Sequence, residues 1–127
     1  MEKRAMLWKP AAERIESTEM RRFMKYVNST RGKDFGDYAP LYRWSIDDIP
    51  DFWRSIWEFM DVIHSRTFDE VLVEGDKMPG AKWFPGARLN FAENLLRHRD
   101  SSRAALIFRS ENGSRREIGY RELFEQV

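Results

Sequence analysis

The sequence contains no cysteine among its 127 residues. This absence excludes disulfides, thiol catalysis, and zinc or iron–sulfur sites that use cysteine ligands. Only two histidines are present, His64 and His98, and no second histidine stands at helical metal-ligand spacing from either one. We therefore expect neither histidine to bind a metal or to act as a general base. The run His98-Arg99-Asp100 is typical of a solvated helix end.

Long apolar runs are also absent. No stretch approaches the ~20 consecutive apolar residues of a membrane-spanning helix, and the apolar run within the first ten residues is too short for a signal peptide. Neither sign of charge dominates, because 22 Lys and Arg residues stand against 21 Asp and Glu residues, for a net charge of +1. This balance argues against nucleic acid or an anionic membrane as a partner. We expect a cytoplasmic protein that binds neither.

Aromatic residues, in contrast, are abundant. They make up 14% of the chain, with nine Phe and five Trp, and apolar residues together reach 42%. This composition argues against disorder, and the length fits one domain, or part of one, with a modest core.

Two amphipathic helices are predicted in the first half. One follows the cap sequence Ser17-Thr18-Glu19 and stops at Gly32. The other has Asp48 or Ile49 as its cap and Pro50 at its first helical position, after a short turn or helix that begins near Asp34. Their apolar faces comprise Met20, Phe23, Met24 and Val27 in the first helix, and Phe52, Trp53, Ile56, Trp57 and Met60 in the second. Ordinary core packing is favoured for both faces over a partner groove or nucleobase stacking on Trp53 or Trp57. The second helix is expected to be the main anchor of this half.

Extended and turn structure is predicted for the middle of the chain. Residues 68–73 have strand character, and residues 74–82 are expected to form a flexible link. Two Pro-Gly pairs predict tight turns at residues 79–82 and 85–88. Asn90 with Glu93 resembles a capping box that opens a helix reaching about Arg97.

A hairpin and a helix are predicted at the end of the sequence. Residues 104–108 form one strand, Asn112-Gly113 the turn, and residues near Glu117 and Ile118 the second strand. Residues 120–127 begin a helix with an apolar side. An isolated hairpin is marginal in water, and its open edges are left unpaired. We therefore expect the native polypeptide to continue beyond Val127.

No catalytic group emerges from the residue patterns. Residues 75–82 imitate a phosphate-binding loop, but Ala81 replaces the required lysine and Pro79 removes an N–H. The adjacent carboxylates Asp47-Asp48 and Asp69-Glu70 point apart on regular structure, so caps and surface are favoured over an acid–base pair. Ser101-Ser102 has no partnered base. Five arginines are diluted by acidic neighbours and are expected to be solvated: Arg97, Arg99, Arg103, Arg115 and Arg116. No catalytic, cofactor-binding or metal-binding residue is assigned.

Three stretches in succession carry a family resemblance. The chain has LYRWSIDDIPDFWRSIWEF, then KWFPGARLNFAENLLRH, then AALIFRSENGSRREIGYRELFEQV, after a Leu7-Trp8-x-Pro10 opening. Together they resemble the beginning of the acyl-CoA synthetases of the adenylate-forming superfamily, and the acetoacetyl-CoA synthetase branch most of all. One departure is Gly119, which stands where relatives usually carry Thr before the last helix; this change affects local stability only.

The resemblance implies an α+β fold. N-terminal helices would pack beside the opening β-hairpin and first helix of a larger α/β adenylate-forming domain. Residues 1–100 would be a helical N-terminal domain of the acetyl-CoA synthetase type, and residues 101–127 the truncated start of the AMP-binding domain. Trp83 and Phe84 would then be packing anchors between the helices and the main body, with a binding pocket as the alternative.

The resemblance also implies a parent enzyme. That enzyme would join acetoacetate to coenzyme A with ATP and magnesium, through an acyl adenylate. The family's phosphate loop, ribose-binding aspartate and adenylation lysine have no counterparts here, so no cofactor is expected in this chain, and its partner would be the remainder of the synthetase. The competing hypothesis is a stand-alone truncated relative that serves as a protein-interaction or regulatory module.

Overall fold

The computed structural model of this protein describes residues 8–127, so Leu7 of the opening motif lies outside the described part. The chain divides into two compact units, one ending at Asp61 and the other starting at Val62. The first unit is helical, and the second combines short helices with small antiparallel sheets. The α+β class is thus confirmed. The domain boundary near residue 100 stays a prediction, because a compact unit need not coincide with a family domain.

Four helices build the first unit: α1 (Ala12–Glu16), α2 (Glu19–Arg31), α3 (Tyr38–Asp47) and α4 (Ile49–Phe59). The short α1 was not predicted. The predicted cap of α2 is confirmed, because the Thr18 hydroxyl accepts a hydrogen bond from the Arg21 amide and Gly32 ends the helix at φ 62°. Asp48 caps α4 by accepting from the Asp51 amide. Helix α4 begins at Ile49, which makes Pro50 its second residue and not its first as predicted.

The core of the first unit lies between α2, α3 and α4. Its buried residues are Phe23, Met24, Val27, Phe35, Leu41 and Trp44, and Phe52, Ile56 and Phe59 pack against them. The predicted stripe of α2 is therefore correct except for Met20, which is about half exposed. Met20 lies in the first turn of α2, and the buried residues begin one turn later.

The predicted apolar face of α4 was partly wrong. Phe52, Ile56 and Phe59 face the core, whereas Trp53 and Met60 are exposed. Trp57, which was also predicted to face the core, is partly exposed. Trp53, Trp57 and Met60 follow the same i, i+4, i+7 spacing as the core-facing set and are offset from it by one residue, or about 100° around the helix. Periodicity alone could not show which set faces α2 and α3.

The second unit contains two strand pairs and two helices. Strand β1 (Leu72–Val73) pairs antiparallel with β2 (Lys82–Trp83), α5 covers Phe91–Leu95, β3 (Ala104–Arg109) pairs antiparallel with β4 (Arg115–Gly119), and α6 covers Tyr120–Gln126. The strand predicted at residues 68–73 is regular at its last two residues only; before them, the Asp69 amide donates to the Pro85 carbonyl and the Val71 carbonyl accepts the Phe84 amide. The expected flexible link is the loop of the β1–β2 hairpin. Helix α5 ends at Leu95, two residues short of Arg97.

The β3–β4 hairpin confirms the predicted turn at Asn112-Gly113. The Ser110 amide donates to the Ser114 carbonyl at 3.0 Å, and the Gly113 amide donates to the Ser110 carbonyl at 3.0 Å. Gly113 has φ 82°, which glycine adopts without strain. Ladder pairing then runs outward from Arg109–Arg115 to Leu106–Ile118, and the register shifts between Leu106 and Ala104, which pairs with Gly119.

Candidate functional site

The turn after Trp83 and Phe84 is held by backbone hydrogen bonds. The Ala87 amide donates to the Phe84 carbonyl at 3.1 Å, and Gly86 has φ 84°. Pro followed by Gly at the two central positions is typical of a type II turn, which requires a positive φ at the second. A Cβ on Gly86 would lie 2.2 Å from a carboxylate oxygen of Asp69. The tight turn predicted at residues 85–88 is thus present one residue earlier, at residues 84–87.

Phe84 and Trp83 have different surroundings. Phe84 adopts φ 47°, donates its amide to the Val71 carbonyl at 2.8 Å, and contacts the Phe68 ring edge-on at a centroid distance of 5.2 Å. Trp83 lies in β2 opposite Leu72 and is about half exposed. Phe84 therefore packs within its own unit. Anchoring of the N-terminal helices by Trp83 and Phe84 stays a prediction.

The Asn94 side chain forms a group of hydrogen bonds, here called the lock, that was not predicted from the sequence. Its Oδ1 accepts the Ile63 amide at 2.8 Å, while its Nδ2 donates to the Ile63 carbonyl at 2.8 Å and to the Asn90 carbonyl at 2.9 Å. Asn90 is the predicted cap of α5, because its Oδ1 accepts from the amides of Ala92 and Glu93. One amide group thus ties the start of the second unit to α5. The only hint in the sequence was the Asn-x-x-x-Asn spacing.

A cleft of about 590 Å³ lies beside this lock. Its lining combines apolar residues with charges of both signs: Ile63, Asn90, Ala92, Glu93, Leu96, Arg97, Arg99, Asp100, Phe124 and Val127. The Arg99 guanidinium lies 4.8 Å from the centre of the Phe124 ring, and Asp100 pairs with Arg121 at 2.7 Å. The cleft brings together no nucleophile with a base, and two of its charged residues, Arg99 and Asp100, are engaged in the contacts just described.

The remaining basic candidates lie on the surface. Arg115 pairs with Glu117, and Arg116 lies 3.4 Å from Glu122. Arg103 is exposed. Arg97 differs from the prediction, because it is half buried and lines the cleft.

Among the acidic and histidine candidates, Asp69 pairs with Arg66 at 3.1 Å, and Asp47 and Glu70 are exposed. The His64 Nδ1 lies 2.7 Å from the Val62 carbonyl, and His98 is exposed in the turn after α5. Ser101 is half buried and Ser102 is exposed. Across residues 8–127, no three His, Asp or Glu side chains are grouped as a metal site would require.

The geometry does not fit a nucleotide at residues 75–82. This loop joins β1 to β2, whereas a phosphate loop leads into a helix whose N-terminus faces the phosphates. Lys77 pairs with Glu74 across the same loop. The described part of the chain therefore offers no cradle there for ATP. It also contains no helix long and apolar enough to cross a membrane.

A polar network joins α2 to α4 in the first unit. The Arg31 Nη2 donates to the Glu58 carboxylate at 2.7 Å, and the Tyr26 hydroxyl donates to the same oxygen at 3.2 Å. The Arg31 Nε donates to the hydroxyl of Ser55, which is fully buried and donates in turn to the Asp51 carbonyl. Burial raises the pKa of Tyr26, and the neighbouring Glu58 carboxylate raises it further. On α1, the hydrogen bond from Lys25 lowers the pKa of Glu16, and Arg21 lowers it further. These contacts are structural.

Comparisons with known proteins agree with one another. Residues 38–95 match the family model described as the acetyl-coenzyme A synthetase N-terminus. Acetoacetyl-coenzyme A synthetase of Rhizobium meliloti (strain 1021) is 39% identical over 95% of this chain and 18% of its own length. Malonamoyl-CoA synthetase of Penicillium aethiopicum is 38% identical over 96% of this chain and 17% of its own length. The chain thus spans less than a fifth of either relative.

A solved structure matches as well. Acetoacetyl-CoA synthetase from Streptomyces lividans superimposes with a TM-score of 0.80 at 38% identity, over 92% of this chain and 18% of that one. Sequence and fold therefore agree along nearly the whole chain. The chain belongs to the acetoacetyl-CoA synthetase family, and it corresponds to the N-terminal region of its members.

Proposed function

We propose that this chain is the N-terminal, non-catalytic part of an acetoacetate–CoA ligase and that its partner is the remainder of the synthetase. The observation that carries the proposal is the match of sequence and fold along 92% of the chain to an acetoacetyl-CoA synthetase of known structure. The lack of a nucleophile–base pair in the cleft and the poor fit of residues 75–82 to a phosphate support the non-catalytic role.

The proposed reaction of the whole enzyme has two steps. The acetoacetate carboxylate attacks the α-phosphorus of ATP, which forms an acyl adenylate and releases pyrophosphate. The coenzyme A thiol then attacks the acyl carbon, which forms the thioester and releases AMP. ATP, magnesium and coenzyme A would bind to the larger part of the enzyme. The residues described above would stabilise that part.

The identity of the carboxylic acid substrate is the more specific part of the proposal. The Rhizobium meliloti and Streptomyces lividans proteins described above are named for acetoacetate, and a fungal relative named for malonamate is similar to the same degree. The chain is about equally similar to synthetases named for two different acids, which supports a scaffold role for this region. A region that selected the acid would differ in sequence between the two kinds of synthetase. We propose acetoacetate as the acid substrate of the whole enzyme, because the chain matches acetoacetyl-CoA synthetases in sequence and in fold.

A chimera tests the function. This chain would replace the matching region of the Streptomyces lividans synthetase, and acetoacetate-dependent ATP–pyrophosphate exchange would be measured for the chimera, for the host enzyme without that region, and for this chain alone. We expect activity in the chimera only. Its preference between acetoacetate and malonamate should be that of the unmodified host.

Three outcomes would contradict the proposal. They are exchange catalysed by the purified chain alone, a folded chimera without activity, and a truncated host that needs no N-terminal region. A folded, inactive chimera would favour the stand-alone interaction module.

A further inference from the structure

The turn of the β3–β4 hairpin joins an asparagine to a glycine at the surface. Asn112 and Gly113 are both exposed, and no atom lies within 4 Å of a Cβ added to Gly113. The side-chain carbonyl of an asparagine can react with the amide nitrogen of the next residue, and glycine hinders this reaction least because it has no side chain. The other three asparagines precede larger residues: Asn28, Asn90 and Asn94.

The side-chain carbonyl of Asn112 is polarised by two donors. Its Oδ1 accepts a hydrogen bond from the Ser110 hydroxyl and another from the Ser114 amide at 3.0 Å. The hydroxyl oxygens of Ser110 and Ser114 are 2.7 Å apart, so the second serine can donate to the first. Donors on a carbonyl oxygen stabilise the negative charge that develops there when a nucleophile attacks the carbon. The turn therefore activates the Cγ of Asn112 as an electrophile.

One contact opposes the attack. The Gly113 amide is the nucleophile, and it donates to the Ser110 carbonyl at 3.0 Å. It must lose this proton before its nitrogen can bond to carbon. The contact lies at an exposed hairpin tip, where backbone hydrogen bonds open at little cost in free energy. Its opening leaves the ladder that begins at Arg109–Arg115 in place.

We propose that Asn112 is a site of spontaneous deamidation and that the Ser110 hydroxyl promotes the reaction. The Gly113 nitrogen gives its proton to hydroxide and bonds to the Cγ of Asn112. The bond from Cγ to Nδ2 breaks, and ammonia leaves after taking a proton from water. Water then adds to either carbonyl carbon of the resulting five-membered succinimide and breaks the bond from that carbon to the ring nitrogen. The product is aspartate or isoaspartate.

The other three asparagines have less reactive surroundings. Asn28 and Asn94 lie in α2 and α5, and both side chains are hydrogen-bonded to backbone groups outside their helices. A helical backbone also holds the next amide away from the side-chain carbonyl. Asn90 caps α5 and is followed by Phe91, whose side chain hinders closure of the ring. The structure therefore favours reaction at Asn112.

The modification would alter the hairpin. Isoaspartate adds one carbon to the main chain between residues 112 and 113, so the backbone bond from Ser110 to Ser114 could not keep its present geometry. Either product also places a new negative charge beside Glu111. We therefore expect the modified hairpin to be weaker than the native one. This inference does not depend on the proposed function.

Peptide mass spectrometry tests the proposal. The purified chain would be incubated at mildly alkaline pH, both folded and in denaturing urea, and the loss of each asparagine amide would be followed over time. Ser110→Ala removes the hydroxyl donor and keeps the backbone of the turn, whereas Ser110→Thr retains a hydroxyl. Ser102→Ala is the control, because it removes an exposed serine hydroxyl outside the hairpin.

In the folded native chain we expect Asn112 to deamidate roughly tenfold faster, or more, than each of the other asparagines. Ser110→Ala should slow the reaction of Asn112 roughly threefold or more when the chain is folded, and should have no effect in urea. Ser110→Thr and Ser102→Ala should react at the native rate.

Two kinds of result would overturn the proposal. Faster or equal reaction at another asparagine of the folded native chain would remove Asn112 as the site, and this comparison needs no variant. An unchanged or faster reaction in folded Ser110→Ala, or equal slowing in urea, would show that the Ser110 hydroxyl does not promote the attack.

Discussion

At the scale of single residues, the side-chain amides of asparagine hold the irregular parts of the chain. Asn94 satisfies both backbone groups of Ile63. Asn28 does the same for Phe35 in the first unit, with its Oδ1 accepting the Phe35 amide at 2.8 Å and its Nδ2 donating to the Phe35 carbonyl at 3.2 Å. A backbone amide and carbonyl outside regular structure need partners when they are partly buried. Asparagine supplies a donor and an acceptor from one side chain.

Asn94→Asp should therefore destabilise the second unit. The carboxylate keeps the acceptor for the Ile63 amide but cannot donate to the carbonyls of Ile63 and Asn90, which it would repel. We expect a loss of about 1–3 kcal/mol in the free energy of unfolding, measured by urea denaturation at neutral pH. Glu93→Gln is the control, because it exchanges acid and amide at an exposed position of the same helix. Equal stability of the two variants would show that the lock contributes nothing.

Gly119 offers a stabilising substitution. It is the N-cap of α6, with extended backbone angles, no side-chain cap, and no atom within 4 Å of an added Cβ. Gly119→Thr adds a hydroxyl acceptor for the first-turn amides and reduces the freedom of the unfolded chain, so we expect a gain of about 0.5–1 kcal/mol in thermal unfolding. Gly119→Ala separates the two causes, because it supplies the backbone restriction without the cap. A threonine variant no more stable than the alanine variant would disprove the capping contribution.

At the scale of elements, α2 and α4 combine an aromatic contact with a polar one. The Phe23 ring contacts the rings of Phe52 and Phe59 at centroid distances of 5.8 and 5.2 Å. At the solvent side, Arg31 and Tyr26 both donate to Glu58. The apolar part supplies most of the stabilisation, and the polar part fixes which turns of the helices meet.

The Tyr26 hydroxyl gives this pair of helices a dependence on alkaline pH. Its pKa is raised in the folded state, so the folded protein retains a proton that the unfolded chain releases above about pH 10. The stability from this group is therefore complete below pH 10 and is lost as the pH rises further. We expect Tyr26→Phe to lose less unfolding free energy than the native chain between pH 9 and 11.

Tyr42→Phe is the matched control for this pH series, because Tyr42 lies on the exposed side of α3. Its alkaline profile should follow that of the native chain. Parallel profiles for Tyr26→Phe and the native chain would remove Tyr26 as the source of the effect.

The starts of three helices, α2, α4 and α5, could be predicted from the sequence, but several helix ends and buried faces could not. Thr18, Asp48 and Asn90 each have an oxygen that accepts an amide of the next turn, which is a local interaction that the sequence encodes directly. The β1–β2 hairpin was missed because each of its strands is only two residues long, which is too short to show an alternating pattern; Leu72 pairs with Trp83 and Val73 with Lys82, eleven and nine positions apart. The core face of α4 was ambiguous because two apolar stripes were available and tertiary packing selected one.

At the scale of the whole molecule, the buried apolar residues are distributed unequally. Six form the cluster of the first unit, whereas Val71 and Leu96 are the buried apolar residues among those described in the second. Local stability follows the density of buried apolar contacts, and small hairpins are marginal by themselves. The two units should therefore differ in their resistance to local opening.

Hydrogen exchange should reveal this difference in the purified chain. Amides of α2 and α4 should exchange roughly tenfold more slowly than those of β3 and β4 after correction for intrinsic rates. Val27→Ala, which truncates a fully buried side chain of α2, should reduce the protection of α2 and α4. Slower exchange in the β3–β4 hairpin than in α2 would refute the ranking.

Family membership was readable from the sequence, because the Trp-Phe-x-Gly-x-Arg-Leu-Asn stretch from Trp83 to Asn90 and its flanking segments are distinctive when taken in order. The candidate site was harder to predict from the sequence. The hydrogen bonds between Ile63 and Asn94 join residues 31 positions apart in the sequence. The cleft is likewise lined by residues from distant parts of the chain. Such contacts follow from the tertiary fold and not from a local sequence pattern. Arg97 was expected on the surface because its neighbours are charged, and the turn after α5 directs it into the cleft lining instead.

The burial of Trp44 has an optical consequence. Its indole is 7% exposed and is surrounded by the rings of Phe23, Phe35 and Phe52, whereas Trp8 is 67% exposed. Fluorescence from an indole in such apolar surroundings is emitted at shorter wavelength than that of a hydrated one, and dissolved iodide reaches it poorly. The component of the emission that iodide cannot quench therefore originates largely from the aromatic cluster, and it provides a label-free signal for the assembly of α2, α3 and α4.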